Sequence, residues 1–156
     1  MKLKVLAVGQ KMPAWVVTGY QEYAKRMPRE CSLELVEIAP ARRTKNSDLS
    51  KVVEDESKSI LAGIKASDYV VALEVKGKQW STADVAEKLA SWQGVQNVIV
   101  FIIGGPDGLS KSCLNRANEQ WCLSKLTFPH PLVRVVLAEQ LYRGWSLMNN
   151  HPYHRE

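Results

Sequence analysis

Apolar positions recur along this chain with two spacings, and segments of the two kinds alternate. Leu3, Val5 and Ala7 interleave with polar or smaller residues, which predicts a first strand ended by Gly9. Pro13 suits the first turn of a helix, where a missing N–H costs nothing, and Val16, Tyr20, Tyr23 and Met27 then keep one face. Lys25, Arg26 and Arg29 collect at its end, where cations suit the helix dipole. Leu33, Leu35 and Ile38 against Glu34 and Glu37 predict a half-buried strand, and Asp48 is placed to cap a helix reaching about Lys65 with Leu49, Val52, Val53, Ile60 and Ile64 inward. Residues 69–75 form an apolar run that stops at Lys76-Gly77-Lys78. Ser81 with Asp84 is a capping box ahead of the stripe Val85, Leu89 and Trp92. A short helix after Ser110, a strand from Trp121 and a long helix opened by Pro131 complete the pattern, the last with Val133, Val136, Leu137, Leu141 and Met148 inward.

The segment Val98–Ile103 has no polar alternation at all, so it reads as a strand buried on both faces in the middle of a parallel sheet. It breaks into Gly104-Gly105-Pro106-Asp107-Gly108, with Ser110 ready to cap the next helix. Glycines there let the backbone approach a ligand closely over the carboxyl end of the strand. Strands alternating with helices throughout predict an α/β fold with a largely parallel sheet flanked by helices, residues 1–156 forming a single domain.

Composition narrows the classes. The 46% apolar and 24% charged content belongs to a soluble globular protein, and no apolar run approaches the ~20 residues that span a bilayer. The opening MKLKVLAVG lacks a small-residue cleavage site and is expected to be strand, not signal peptide. Cys31, Cys113 and Cys122 are odd in number and widely spaced, against a disulfide framework or paired-cysteine zinc site, so a cytoplasmic location is expected. A net charge of +5 favours a polyanionic partner such as nucleic acid. Arg42, Arg43 and Lys45 in the polar stretch 40–46 suit phosphate contacts and equally suit a solvated loop.

Motif spacing removes several activities. The glycine turn does not fit G-x-G-x-x-G and comes late in the chain, G-x-x-x-x-G-K-[ST] is missing, and so is G-x-S-x-G. His151 and His154 lack convincing further ligands, so no metal is expected. The ending, residues 149–156, concentrates imidazole, phenol and guanidinium, which together stack on, hydrogen-bond and hold the phosphate of an unpaired RNA base.

Three segments taken together carry a resemblance: the turn GlyGlyProAspGlyLeu at 104–109, ProHisProLeuValArg at 129–134 and AsnHisProTyrHisArgGlu at 150–156. In this order and at these distances from the C-terminus they resemble the RlmH family. These are SPOUT-superfamily methyltransferases that act on a pseudouridine of large-subunit (23S) ribosomal RNA, and the resemblance covers essentially the whole chain. Asp107 departs from it, standing where that family more often carries Glu.

The resemblance implies S-adenosylmethionine as cofactor, held in a C-terminal trefoil knot that periodicity alone does not reveal. Carried over by position, the cofactor-binding residues are Leu73, Gly104, Gly105, Leu123, Ser124, Lys125, Leu126, Thr127 and Phe128. The acceptor is N3 of the pseudouridine, an imide nitrogen that must lose its proton. His154 is the expected base or orienting group, Tyr153 stacks on the base, and Arg155 and Arg134 hold phosphate or a developing anion. The resemblance also implies a homodimer that completes the site across its interface, acting on ribosomal RNA in a ribosomal context. A SPOUT methyltransferase for another RNA position and a non-catalytic RNA-binding protein stand as alternatives.

Overall fold

The computed structural model describes residues 1–155; Glu156, the last residue of the terminal segment, lies outside them. Five strands, β1 (Lys2–Val8), β2 (Ser32–Ile38), β3 (Tyr69–Gln79), β4 (Val98–Ile103) and β5 (Glu119–Cys122), make one sheet in the order β2-β1-β4-β3-β5. Every pairing is parallel. Helices α1 (Ala14–Ala24), α2 (Leu49–Ala62), α3 (Thr82–Trp92) and α4 (Lys111–Arg116) connect successive strands, and α5 (His130–Met148) follows β5, with a 3-10 turn at Pro152–Arg155 after it.

The continuous apolar run of β4 is explained by its position, third of five strands, with a core on each side. Ile99, Phe101 and Ile103 enter a cluster with Leu3, Val5, Val71, Leu89, Trp92, Leu137 and Leu141, under α3 and α5. Val100 and Ile102 face the opposite way, with Leu6, Val8, Val70, Ile60 and Cys113, under α2 and α4. The alternation of side chains along a strand thus splits one hydrophobic run between two cores.

Local signals hold where they were strongest. Ser81 accepts from the Asp84 N–H at 3.0 Å and Asp84 accepts from the Ser81 N–H at 2.8 Å, a complete capping box; Asp48 and Ser110 cap α2 and α4. Three expectations shift. β3 does not stop at Lys76-Gly77-Lys78 but continues to Gln79, bulging so that both Leu73 and Lys78 face Trp121. A β-carbon on Gly77 would lie 2.7 Å from the Gln120 carbonyl carbon, so glycine here permits close strand approach instead of ending the strand. α2 ends at Ala62 with Gly63 as its C-cap, and Leu49, at the first turn, is exposed rather than inward.

The parallel sheet collects the loops after β1, β2, β4 and β5 at one edge. Strand order reverses around β1 and β4, the place where open α/β sheets leave a crevice for ligands.

Candidate active site

At that edge lies a cavity of about 640 Å³. Its walls come mainly from three separated stretches, Leu73, Glu74 and Val75 in the bulged part of β3, residues 103–109 at the end of β4, and residues 121–130 running from β5 into α5, Lys125 excepted, with Leu114 of α4 and Val133 of α5 beside them. Leu73, Gly104, Gly105, Leu123, Ser124, Leu126, Thr127 and Phe128, expected from the sequence as cofactor-binding residues, all line it. Lys125 does not; it is exposed within a turn in which the Ser124 hydroxyl accepts from the Leu126 N–H at 3.0 Å.

The glycine turn has a definite construction. Gly108 donates its N–H to the Gly105 carbonyl at 3.0 Å and sits at φ +80°, a conformation that disfavours side chains. A β-carbon on Gly104 would lie 2.6 Å from the Gly108 carbonyl carbon, so the two arms of the turn touch only because Gly104 has none. On Gly105 it would instead meet Val8 Cγ1 at 3.1 Å and the side chains of Arg43 and Glu56 at 3.4 Å. Gly105 therefore packs against the end of β1 and a polar cluster.

No Lys or Arg lines the cavity among the described residues, while Glu74 and Asp107 do. Trp121, stacked on Trp80 at 4.6 Å, forms part of the wall, and its buried indole N–H has no acceptor among the described residues. His130, first residue of α5, lines the cavity too. Burial, then the positive charges of Arg134 and Arg43, hold its imidazole below the usual histidine value, with Glu56 opposing. His130 and Trp121 are two of the lining residues that the sequence did not single out for the site. His130 lies inside the ProHisProLeuValArg segment, but nothing local to that segment shows which way its ring faces.

Arg134 is not where its expected role needs it. It is 1% exposed, donates Nη1 to Glu37 Oε2 at 2.6 Å and Nη2 to the Gly9 carbonyl at 2.9 Å, and so ties α5 to the ends of β1 and β2. Within this chain it sits where α5 meets the ends of β1 and β2 and does not line the cavity, and its buried Nε has no partner among the described residues; the helical pattern showed only a charged residue and not which way it turns.

The ending folds back along α5 instead of over the cavity. Tyr153 donates its hydroxyl to Glu139 Oε1 at 3.0 Å, packs on Tyr142 at 4.7 Å, and lies under the Arg143 guanidinium at 4.9 Å. Burial first, and then Glu139, push its phenol well above the usual value. Arg143 in turn donates Nε to Glu139 at 2.7 Å, so this pair is more than a helix-surface contact: it anchors the ending. His154 is partly buried, its Nδ1 without a partner among the described residues, and Arg155 is exposed. Glu139 is six residues beyond the cavity-lining Val133, about 9 Å along the helix axis. Within one chain, then, His154, Tyr153 and Arg155 cluster together but none of them lines the cavity.

Arg43, a candidate phosphate contact, is likewise engaged. Its Nη1 and Nη2 reach the two oxygens of Glu56 at 2.8 and 3.0 Å, and its Nε reaches Asp107 at 2.9 Å. Glu56, 2% exposed, also accepts from the Ala41 N–H at 3.0 Å.

Comparison with known proteins bears on this arrangement directly. The family described as "Predicted SPOUT methyltransferase" matches residues 1–154. The chain belongs to the SPOUT methyltransferase family. Two proteins named "Ribosomal RNA large subunit methyltransferase H" are each 54% identical to it. The one from Methylococcus capsulatus aligns over 155 residues, 99% of this chain and 100% of that one; the one from Hahella chejuensis aligns over 156 residues, the whole of both. A solved structure, that of a probable methylase family protein from Haemophilus influenzae Rd KW20, superposes with a TM-score of 0.61 at 11% identity, covering 97% of this chain and 69% of that one, a likeness of fold. In this SPOUT methyltransferase the described residues hold no group of three or more His, Cys, Asp and Glu fit for a metal ion. No helix is long and apolar enough to cross a membrane.

Proposed function

We propose that this protein transfers a methyl group from S-adenosylmethionine to N3 of a pseudouridine in large-subunit ribosomal RNA, in the cytoplasm, as one domain with a C-terminal trefoil knot that works as a homodimer on assembled ribosomal particles. The observation that carries the reading is the cavity built from residues 73–75, 103–109 and 121–130 in a chain of the SPOUT family 54% identical to proteins named for large-subunit ribosomal RNA methylation.

The cavity suits the cofactor. Its volume falls in the range of small-molecule sites, its walls are mostly apolar, and the main chain of two turns supplies donors and acceptors. A sulfonium is cationic, and the walls that would receive it carry Glu74 and Asp107 and, among the described residues, no Lys or Arg, with His130 biased toward neutrality. Leu73, Gly104, Gly105, Leu123, Ser124, Leu126, Thr127 and Phe128 hold it, with Lys125 contributing through its main chain. When bound, it supplies an already electrophilic methyl group, so the protein's tasks are alignment and proton removal.

Those tasks fall to the ending. His154 takes or orients the N3 proton; Tyr153 stacks on the base; Arg155 holds phosphate. Arg134 acts as a positioning residue by fixing α5 against β1. Because the ending is anchored about 9 Å along α5 from the cavity, a second copy supplies it to each pocket. Trp15 and Val17 on α1, 58% and 52% exposed, offer apolar surface for such a contact.

Two measurements test the reading. Calorimetry with S-adenosylmethionine is expected to give saturable binding, and absence of binding by folded protein refutes the enzyme. Mass spectrometry of ribosomal RNA from cells lacking the gene is expected to show loss of methyl from a large-subunit pseudouridine; unchanged methylation there refutes the acceptor. Deleting residues 151–156 abolishes transfer while leaving most of the cofactor affinity.

A further inference from the structure

The polar stretch between β2 and α2, residues 39–48, is fastened at both ends. Glu56 on α2 receives the Ala41 N–H and the Arg43 guanidinium. Farther along, Ser47 Oγ accepts from the Thr44 N–H at 2.7 Å and the Ser47 N–H donates to the Thr44 carbonyl at 3.0 Å, closing a turn. The ends of β2 and β4 flank β1, two strand spacings or about 10 Å apart. Arg43 crosses that gap to Asp107, in the turn whose Gly104 and Gly105 line the cavity.

Its donors are nearly all committed: Nη1 also reaches the Ala41 carbonyl at 3.3 Å, so no two-pronged contact with a phosphate remains open to it. Its neighbours differ. Arg42 and Lys45 are exposed and form no ion pair among the described residues. The same short loop therefore holds one internal bolt and two free cations, and the bolt ends on the wall of the pocket.

We propose that residues 39–48 form a strap that docks RNA phosphates beside the pocket mouth, with Arg42 and Lys45 as the phosphate contacts and Arg43, clamped between Glu56 and Asp107, as the positioning residue that sets their place. The proposal rests on the reading of the cavity as a methyl-donor pocket for a ribosomal RNA substrate. It assigns the partner as RNA backbone because the free groups are cations, while the loop's one carboxylate, Asp48, is turned to the first turn of α2 as its cap, and such cations contact phosphate without reading sequence.

The two roles separate in a salt titration. Ribosomes purified from cells lacking the gene are titrated with the cofactor-saturated protein at several salt concentrations, and cofactor affinity is measured apart by calorimetry. The R42A/K45A variant is expected to lose about tenfold or more in ribosome affinity and to lower the slope of log affinity against log salt by about 1.5, with cofactor affinity unchanged. Asp107→Ala is expected to weaken ribosome binding severalfold with the slope retained, since the contacts persist once the strap is ordered. It also speeds amide exchange over 39–48, and Asp107→Glu restores both. Wild-type slope and affinity in R42A/K45A overturn the strap as a contact. A loss of cofactor affinity in R42A/K45A equal to the loss of ribosome affinity overturns it too, as does unchanged exchange in Asp107→Ala for the clamp. Failure of the wild-type protein to bind ribosomes at all refutes instead the substrate reading beneath it.

Discussion

Replacing Gly104 by alanine puts a β-carbon 2.6 Å from the Gly108 carbonyl carbon and 2.7 Å from its oxygen, against a comfortable carbon contact of about 3.5–4.0 Å. Both neighbours are main chain, so relief requires the arms of the turn to part by about 1 Å. Overpacking of that kind costs about 1–3 kcal/mol, and because the turn is a wall of the pocket the expected loss of S-adenosylmethionine affinity is about 5- to 100-fold. The next residue gives a contrast. Alanine at Gly105 meets only side-chain ends, Val8 Cγ1 at 3.1 Å and Arg43 and Glu56 at 3.4 Å, which yield by tenths of an ångström, so the loss is about threefold or less. Alanine at Gly108 meets nothing within 4 Å but must hold φ near +80°, a cost of about 1 kcal/mol that lowers stability. Calorimetric titration with urea unfolding of the three variants reads these effects separately. A larger affinity loss for Gly105→Ala than for Gly104→Ala refutes the assignment of the close approach to Gly104.

Other consequences follow from single residues. Glu56→Ala removes three hydrogen bonds from a buried carboxylate, while Arg43 is partly exposed and keeps Asp107; a loss of about 2 kcal/mol, or about 4–8 °C in Tm, is expected by calorimetry, and an unchanged Tm counts against the clamp. Burial pushes the Cys31 thiol up to about 11, so iodoacetamide at pH 8 labels Cys31 in urea and not in the native protein; native labelling places the thiol at the surface. The His130 imidazole is held below its ordinary 6.5, so as pH falls through that value the unfolded chain takes up a proton first and stability drops. His130→Gln is therefore expected to flatten the decline of denaturation free energy between pH 7 and 5, and an unaltered slope argues against burial of that ring.

Legibility in the sequence followed the range of the interaction. The box at Ser81 and Asp84, the caps at Asp48 and Ser110, and the glycine turn after β4 are fixed by neighbours a few residues away, and they stand as read. Gly77 misled because its reason lies in β5, against Gln120. Arg134 and Arg43 misled similarly. A charged residue on a helix or in a polar loop reads as solvent-facing, and here the partners are Glu37 and Asp107, 97 and 64 positions away. Apart from the glycine turn, the pocket wall was legible only through the resemblance, since Leu73 and Phe128 carry no chemistry that singles them out.

The sequence alone determined the alternation of strands and helices, the two-faced burial of β4 and the position of its glycine turn, because each depends on side-chain periodicity or on a backbone conformation local to a few residues. The tertiary structure decided the order β2-β1-β4-β3-β5, the gathering of three distant stretches around one cavity, the inward turn of Arg134, and the anchoring of Tyr153 on Glu139 away from that cavity. Those outcomes depend on which strands lie side by side. A parallel sheet places every strand's carboxyl end at one edge, and whichever loops meet there choose the partners of their charged residues.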